Sequence, residues 1–380
     1  MLGKQIDKRK FLKLGLTSAC GLCALSSGLP LWSANPVPEK KGLGKFSREA
    51  MFYTPTAKGL KCQICPNHCQ IRPEENGDCR TRYHKDGKLY TIAYGNPCAV
   101  HVDPIEKKPL YHFLPQSHAF SIATAGCNLA CLNCQNWEIS QASPLETRNQ
   151  DLMPESVVEN AMQNNCQSIA YTYSDPVAFY EYTYDTAKIA QLKGIKNILV
   201  TAGYINKEPL RELAQYVDAA NVDLKSFSNE IYEMLNAGTL QPVLDTLTYL
   251  KDAGVWLEIT NLIVPNWTDD MEMIKKMCGW LAENGFEETP LHFSRFYPQH
   301  KLAQLPATPR DTLIKAREIA MAEGLFYVYL GNLPGTDAEN TYCPVCKKLL
   351  IERKGFTILR NEIVDGKCPE CNVPISGVWE

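Results

Sequence analysis

Residues 118 to 332 alternate short apolar runs with amphipathic segments, and this alternation restricts the chain to few architectures. Runs rich in β-branched and aromatic residues predict strands at 119–124, 168–173, 197–202, 220–224, 256–264, 291–297 and 325–330. Segments with helical periodicity lie between them at 154–164, 177–192, 209–216, 229–253, 270–283 and 310–322. Strands joined by helical crossovers run parallel. We therefore predict an α/β fold, a full or partial (β/α) barrel, with a doubly wound open sheet as the alternative.

The composition is that of a globular chain. Of its 380 residues, 45% are hydrophobic, which is enough to bury a substantial core. The formal net charge is -3, and both signs are spread along the chain without a basic stripe. A nucleic-acid partner is therefore not indicated.

Composition shifts divide the chain into five predicted segments. These are a leader at 1–34, a polar linker at 35–60, a Cys-rich N-terminal module at 61–117, the α/β core at 118–335 and a Cys-rich C-terminal module at 336–380. Lys107 and Lys108 are predicted to form a solvated basic loop at the end of the N-terminal module.

The leader contains Lys8-Arg9, then Phe11-Leu12-Lys13 and a weakly apolar run at 14–32. This pattern resembles a twin-arginine export signal with Lys-Arg in place of the arginine pair. Glycines and a proline interrupt the run, so it is a poor membrane-spanning helix. We expect export or membrane tethering, and a basic tail on a cytoplasmic protein is the alternative.

Cysteine spacing provides the chemical signal. Cys127, Cys131 and Cys134 follow the first predicted strand of the core with the spacing C-x3-C-x2-C. Their thiolates can bind three corners of a 4Fe-4S cubane and leave one iron open to a substrate, whereas electron-transfer clusters are usually closed by four thiolates. A structural zinc site or plain core thiols are the alternatives.

The motif and several flanking segments resemble a known family. The C-x3-C-x2-C loop after a first strand resembles the radical S-adenosylmethionine (SAM) superfamily. Segments 103–113, 134–140, 221–227 and 263–270 are similar to the radical SAM component of the AmmeMemoRadiSam system and to pyruvate formate-lyase activating enzymes. The family usually has an aromatic residue before the third cysteine, where this chain has Asn133.

The resemblance implies a radical SAM barrel and an oxidoreductase chemistry. The open iron would chelate SAM, and one electron would split it into methionine and a 5'-deoxyadenosyl radical that abstracts hydrogen from an unknown substrate. It also implies a reductant such as flavodoxin or ferredoxin and a Memo-like partner. Activation of a glycyl-radical enzyme is the second function, and a non-catalytic iron-sulfur electron carrier is a third of another class.

Polar residues near the predicted strand ends are candidate site residues. Ser174 and Asp175 stand where the superfamily contacts the amino group of SAM, or they cap the next helix before Pro176. Asp223 and Lys225 point to the same side of their strand and would position SAM and substrate, or form a buried structural ion pair. The further candidates for SAM or substrate contacts are Thr260, Asn261, Arg295 and His300.

Two further cysteine sets flank the core. The C-P-x-C pairs Cys343/Cys346 and Cys368/Cys371 predict a zinc ribbon, with rubredoxin-like iron as the alternative. Near the other end, the set Cys62, Cys65, Cys69 and Cys79 predicts either a second zinc or an auxiliary cluster, with His68 as an alternative ligand. A chance cluster of reduced thiols is the remaining alternative.

Overall fold

The computed structural model describes residues 43–380, so the predicted leader lies outside the described residues. The strands are β1 (Arg48–Glu49), β2 (Tyr53–Thr56), β3 (Gly59–Cys62), β4 (Gln70–Ile71), β5 (Arg82–Lys85), β6 (Lys88–Thr91), β7 (Ala99–Pro104), β8 (His118–Ala123), β9 (Ser168–Tyr171), β10 (Lys196–Thr201), β11 (Ala219–Asp223), β12 (Trp256–Ile263), β13 (Leu291–Arg295), β14 (Val328–Gly331), β15 (Thr341–Tyr342), β16 (Leu349–Lys354) and β17 (Thr357–Asn361).

The α-helices are α1 (Trp137–Ser140), α2 (Pro154–Gln163), α3 (Tyr180–Leu192), α4 (Lys207–Ala214), α5 (Asn229–Ile231), α6 (Gln241–Asp252), α7 (Met271–Glu283) and α8 (Arg310–Ala322). Short 3-10 helices lie at Ile105–Lys107 and His300–Leu302, and a π-helix lies at Tyr232–Asn236. Among the described residues, no helix has both the length and the apolar character needed to cross a bilayer.

The central sheet has eight strands in the order β14-β13-β12-β11-β10-β9-β8-β7. Strands β8 to β14 are parallel and follow one another in chain order, whereas β7 pairs antiparallel with β8 at one edge. In residues 43–380, β7 and β14 do not pair, so the sheet is open. The partial (β/α) barrel is confirmed, and the unbroken strand order differs from that of a doubly wound sheet, which reverses.

The two faces of this sheet have different characters because successive residues of a strand point to opposite sides. One face packs against the helices, with Val222, Ile259 and Phe293 in the same core as Leu250 and Met277. The other face carries Asn221, Asp223, Glu258, Thr260 and His292; their registers place them on one side. We call this second side the inner face.

The predicted helix at 229–253 was wrong, because the structure breaks this segment into α5, the short π-helix at Tyr232–Asn236 and α6. We call this short π-helix the π-turn. Ala237 adopts a left-handed backbone with φ of 56°, and a Cβ at Gly238 would lie 2.7 Å from the Leu129 side chain. The break turns the carbonyl groups of Leu235 and Asn236 toward the cysteine loop, where they accept hydrogen bonds from Leu132 and Ala130.

The N-terminal module consists of two small antiparallel sheets, β1-β6-β5 and β2-β3-β4. Its observed extent differs from the predicted boundaries at residues 60 and 117. β1 and β2, which lie within the predicted linker, pair with β6 and β3, and β7 belongs to the central sheet. The segment at residues 48–56, which was predicted to be linker, therefore forms edge strands.

The C-terminal module contains the sheet β15-β16-β17 and is joined to the amino end of the central sheet by a buried chain of hydrogen bonds. Arg353 Nη1 donates to Thr341 Oγ1 (2.7 Å), which donates to the Tyr329 hydroxyl (2.8 Å). Tyr329 donates to His112 Nε2 (2.6 Å), and His112 Nδ1 donates to the Ser376 carbonyl (2.6 Å). We call these five residues the basal chain.

Glu258 completes the base of the inner face. Its carboxylate accepts hydrogen bonds from the backbone N–H groups of Tyr111 (2.9 Å) and His112 (2.7 Å) and lies 2.6 Å from His292 Nε2. All four residues are buried. Burial alone would raise the pKa of Glu258, but the contact with His292 and the backbone donors lowers it below its usual value.

Candidate active site

The three cysteines of the central motif lie on the loop that leaves the carboxyl end of β8. Gly126 opens this loop with φ of 101°, a conformation that L side chains rarely adopt. A Cβ there would lie 2.4 Å from Thr81 Cγ2 and 2.5 Å from the Cys79 carbonyl oxygen, so only glycine fits. The Gly126 N–H donates to the Ile139 carbonyl, which ties the two ends of the loop together.

Backbone hydrogen bonds from two distant segments fix the loop. Besides the contacts with the π-turn, the Leu132 carbonyl accepts a hydrogen bond from the Lys301 N–H. The Asn128 side chain donates to the Tyr204 carbonyl at 2.7 Å. The backbone carbonyl of Asn128 accepts a hydrogen bond from the Asn67 side chain at 2.8 Å. The cysteines are thus held in place by backbone and amide contacts rather than by apolar packing alone.

Cys127, Cys131 and Cys134 are partly buried, and their sulfurs do not form a compact single-ion set. Burial raises the pKa of the Cys127 thiol, and the charge of Asp175 raises it further. Burial also raises the pKa of Cys131, but the nearby Lys225 ammonium opposes that rise. Positive charge near Cys131 favours the thiolate form that binds metal.

Ser174 and Asp175 lie directly beyond β9, beside this loop. Ser174 donates to the Thr124 carbonyl at 2.7 Å. Asp175 accepts from the backbone N–H groups of Val177 (3.0 Å) and Ala202 (2.8 Å) and from the Thr201 hydroxyl (3.1 Å). These bonds give both residues a structural role at the strand ends, and their contact with SAM stays a prediction.

Asp223 and Lys225 lie at and just beyond the end of β11, where they form a partly exposed ion pair. Lys225 Nζ is 2.7 Å from Asp223 Oδ2, and the Lys225 N–H donates to the Tyr232 hydroxyl at 2.9 Å. Burial would lower the pKa of Lys225, but the charges of Asp223 and Cys131 raise it above the usual value. The lysine therefore carries its positive charge at neutral pH.

Thr260 and Asn261 are neighbours within β12 and so point to opposite faces. Thr260 lies on the inner face, opposite Asp223 in register, and its hydroxyl is 2.9 Å from Asn221 Oδ1. Asn261 lies on the helix-packed face and donates to the Leu224 carbonyl at 2.7 Å. The structure brings Thr260 together with the ion pair and does not bring Asn261 there.

Arg295 ends β13, and its Nε donates to the Thr308 carbonyl at 2.8 Å. His300 stacks on Trp137, with ring centroids 5.0 Å apart and planes at 17°. Burial and the charge of Lys301 lower the pKa of His300. Trp137 lies three residues after Cys134, and the pattern gave no reason to pair it with a residue so far along the chain.

Asn236 is a second residue that sequence reasoning missed. It is fully buried and terminates the π-turn beside the cysteine loop, and its side-chain amide lies close enough to Cys131 for a hydrogen bond that opposes the burial-induced rise in the pKa of that thiol. A hydrogen bond to the thiolate favours the charged form, so Asn236 suits a site where Cys131 binds a metal as a thiolate. The sequence gives no signal for Asn236, because its position depends on the break in the helix that was predicted at 229–253.

The two flanking cysteine sets differ in geometry. In the C-terminal module, Cys343 and Cys371 have sulfurs 3.5 Å apart, and those of Cys346 and Cys368 are 3.6 Å apart. Across residues 43–380, these four form the one group of three or more candidate ligands whose donor atoms all lie within 4.8 Å of one another. Such a set can hold a single tetrahedral ion.

The N-terminal set surrounds a small cavity in the module that abuts the motif loop. This cavity is lined by Cys62, Cys65, Cys69 and Cys79 together with Asn67 and Arg82. His68, the alternative ligand, is not among the lining residues. The sequence prediction that the four thiols come together is therefore supported by the cavity that they share.

The chain is similar to several known proteins. A family model described as the Radical SAM superfamily matches residues 121–278. An uncharacterized protein of Methanocaldococcus jannaschii is 46% identical over 331 residues, which are 86% of this chain and 98% of that protein. The pyruvate formate-lyase 1-activating enzyme of Escherichia coli strain K12 is 25% identical over 185 residues, 47% of this chain and 73% of that enzyme. A solved domain of pyruvate-formate lyase-activating enzyme from Bacteroides vulgatus is 18% identical, with a TM-score of 0.38 over 43% of this chain and 99% of that domain.

Proposed function

The chain belongs to the radical SAM superfamily, and we propose that it cleaves SAM reductively to abstract hydrogen from a substrate, with a 4Fe-4S cluster on Cys127, Cys131 and Cys134. The observation that carries this proposal is the loop itself, which supplies three thiols at the carboxyl end of a parallel sheet. When bound, a cubane with one iron open to SAM supplies the electron that splits the sulfonium and yields a 5'-deoxyadenosyl radical.

The residues around the loop orient and stabilise what binds there. Lys225 places a positive charge near Cys131, and Asp223 fixes the direction of that ammonium. The side-chain amide of Asn236 can donate to the sulfur of Cys131. We propose that Thr260, Ser174 and the Trp137–His300 stack contact SAM or substrate at the carboxyl end of the sheet.

We propose a substrate handled with protein partners. Similarity to activating enzymes supports a reductant such as flavodoxin or ferredoxin and a protein or peptide substrate. A Memo-like partner follows from the resemblance of the motif segments. Installation of a glycyl radical on a partner enzyme is the second candidate, favoured by the similarity to pyruvate formate-lyase 1-activating enzyme.

The C-terminal quartet is proposed to hold one structural zinc. Its compact arrangement and all-sulfur donor set suit the tetrahedral coordination of zinc, although iron accepts the same ligands. The basal chain joins this module to the amino end of the sheet, whereas the motif loop leaves the carboxyl end of β8. A metal there would stabilise the fold without taking part in the reaction.

The cellular location is proposed from residues 1–34 alone. Their similarity to a twin-arginine signal supports export or tethering of a protein already loaded with its cofactor. The supply of SAM and low-potential electrons favours retention in the cytoplasm, so the leader is interpreted as a signal that acts after cluster insertion.

Anaerobic reconstitution with iron, sulfide, SAM and dithionite tests the proposed reaction. We expect release of 5'-deoxyadenosine, measured by liquid chromatography, and its loss when Cys127, Cys131 or Cys134 is changed to Ala. The matched control is Cys166→Ala, because Cys166 is a buried thiol outside every cysteine set and should keep the release. Release that survives all three motif substitutions together would refute the assignment.

A further inference from the structure

We propose that Cys62, Cys65, Cys69 and Cys79 bind a second 4Fe-4S cluster, closed by four thiolates. This site is separate from the proposed catalytic cluster, which uses three other cysteines. The inference goes beyond the proposed function, because cleavage of SAM at Cys127, Cys131 and Cys134 requires no second metal site.

Four thiols face one shared cavity. Cys62 ends β3, Cys65 and Cys69 lie on the turn that leads to β4, and Cys79 precedes β5. Cys62, Cys65 and Cys79 are each at most 9% exposed. A core built for packing alone would fill such a centre with aliphatic side chains, because voids lose dispersion contacts.

The spacing of the sulfurs favours a cluster over a single ion. Four thiolates around one zinc at about 2.3 Å must lie only about 3.8 Å apart. The C-terminal quartet has that compactness, but within residues 43–380 no three of these N-terminal sulfurs lie within 4.8 Å of one another. The motif cysteines share this wider spacing, as expected for ligands that bind different irons of one cubane.

A buried cation supports the same conclusion. Arg82 is 2% exposed and lines the cavity, with Nη1 donating to Glu181 at 2.6 Å. Its Nη2 has no partner among the described residues. A guanidinium carries five N–H donors. Because Arg82 shares the cavity with the four thiols, its Nη2 group can donate to a sulfur of an anionic cluster.

The cavity lies next to the motif loop. The Cys79 carbonyl would be 2.5 Å from a Cβ at Gly126, and the Asn67 side chain donates to the Asn128 carbonyl at 2.8 Å. Asn67 and Asn128 both line the cavity. The proposed cluster site therefore adjoins the loop that carries the motif cysteines.

The decisive experiment uses the full chain with Cys127, Cys131 and Cys134 all changed to Ala. After anaerobic reconstitution, we expect about four iron and four sulfide per chain and a 4Fe-4S Mössbauer spectrum, since this variant keeps every ligand of the proposed site. The reduced cluster should give an EPR signal that SAM leaves unchanged, because four thiolates leave no open iron. A chain that binds zinc at this site and retains no iron overturns the proposal.

Two further variants sharpen the result. Adding Cys62→Ser and Cys65→Ser to the triple variant should remove the remaining iron, whereas adding Cys278→Ser, a buried thiol outside the sets, should not. Iron that persists after loss of Cys62 and Cys65 contradicts the proposed ligands. Failure of the wild-type chain to cleave SAM would refute the proposed function and leave these iron contents as they are, so the two ideas fail independently.

Discussion

Lys225 carries a fixed positive charge beside a proposed cluster ligand. Its pairing with Asp223 keeps it protonated, and its charge opposes the burial-induced rise in the pKa of Cys131. A neighbouring cation stabilises the more negative of two redox states, and a neighbouring carboxylate destabilises it. The two members of this ion pair should therefore act on the proposed catalytic cluster in opposite directions.

We predict that Lys225→Gln lowers the reduction potential of the catalytic cluster and that Asp223→Asn raises it, each by an amount on the order of tens of millivolts for a partly buried charge. EPR-monitored redox titration measures both shifts. Lys196→Gln is the control, because Lys196 pairs with Asp218 at 2.9 Å at the amino end of the sheet. Shifts of the same sign in the two variants would rule out this charge effect.

The identities of strand-end residues could be predicted from the sequence, but the surroundings of their side chains could not. Thr260 and Asn261 looked equivalent, yet strand alternation sends them to opposite faces. Lys108 was predicted to be solvated, and this was wrong, because it is 1% exposed and lies 2.6 Å from Asp103. Only the tertiary fold brings a carboxylate close enough to compensate its burial.

The motif loop depends on one glycine for its path. Gly126 combines a φ of 101° with close approach to Thr81 and Cys79, so it joins the cysteine loop to the N-terminal module. Gly87 offers a comparison, since it has φ of 75° but a Cβ added there would meet no atom within 4 Å. The two glycines separate backbone strain from steric contact.

We predict that Gly126→Ala lowers the iron bound after reconstitution by at least half, because the loop must move to admit the methyl group. Gly87→Ala should cost only the left-handed backbone penalty of about 1–2 kcal/mol and keep its iron. Iron analysis and urea unfolding of both variants test this. Equal iron content in the two variants would show that the contact at Gly126 does not shape the cluster loop.

Elements could be predicted from periodicity wherever the chain follows one period. Strands β8 to β13 were predicted to within two residues at each end, because parallel buried strands form continuous apolar runs. The break in the segment 229–253 could not be predicted, since Ala237 has high helix propensity, and the carbonyl groups of Leu235 and Asn236 bond to a loop about a hundred residues earlier in the chain.

The whole molecule is joined across its base by interactions between residues far apart in sequence. The basal chain links the segment before β8, the last strand of the sheet and the C-terminal module. Burial lowers the pKa of His112 to about 4, so this imidazole stays neutral in the fold at mildly acidic pH. The unfolded chain, with a pKa near 6.5, takes up the proton instead.

Because the pKa of His112 is depressed in the folded state, stability is lost as the pH falls from about 6.5 toward 4. We predict that wild type loses about 1 kcal/mol more unfolding free energy than His112→Gln between pH 7.5 and 5.5. Urea denaturation at both pH values, followed by circular dichroism, measures the difference. Identical losses in the two proteins would contradict a neutral buried imidazole.

Location can be tested on the leader alone. We predict that residues 1–40, fused to a reporter that works only when exported folded, direct its export, and that changing Lys8 and Arg9 to Gln abolishes it. Lys4→Gln is the matched control, because it removes a basic residue outside the pair. If the reporter stays in the cytoplasm, the prediction of an export signal is wrong and the leader is a basic tail.

The basal chain also sets an order of events during synthesis on the ribosome. Thr341, Arg353 and Ser376 are translated after every strand of the central sheet, and nascent domains fold as their segments emerge. Until those residues arrive, His112 and Tyr329 lack these final partners, so the hydrogen bonds at the base of the barrel are incomplete. If the C-terminal cysteines need their ion to fold, metal supply also limits the completion of the basal chain.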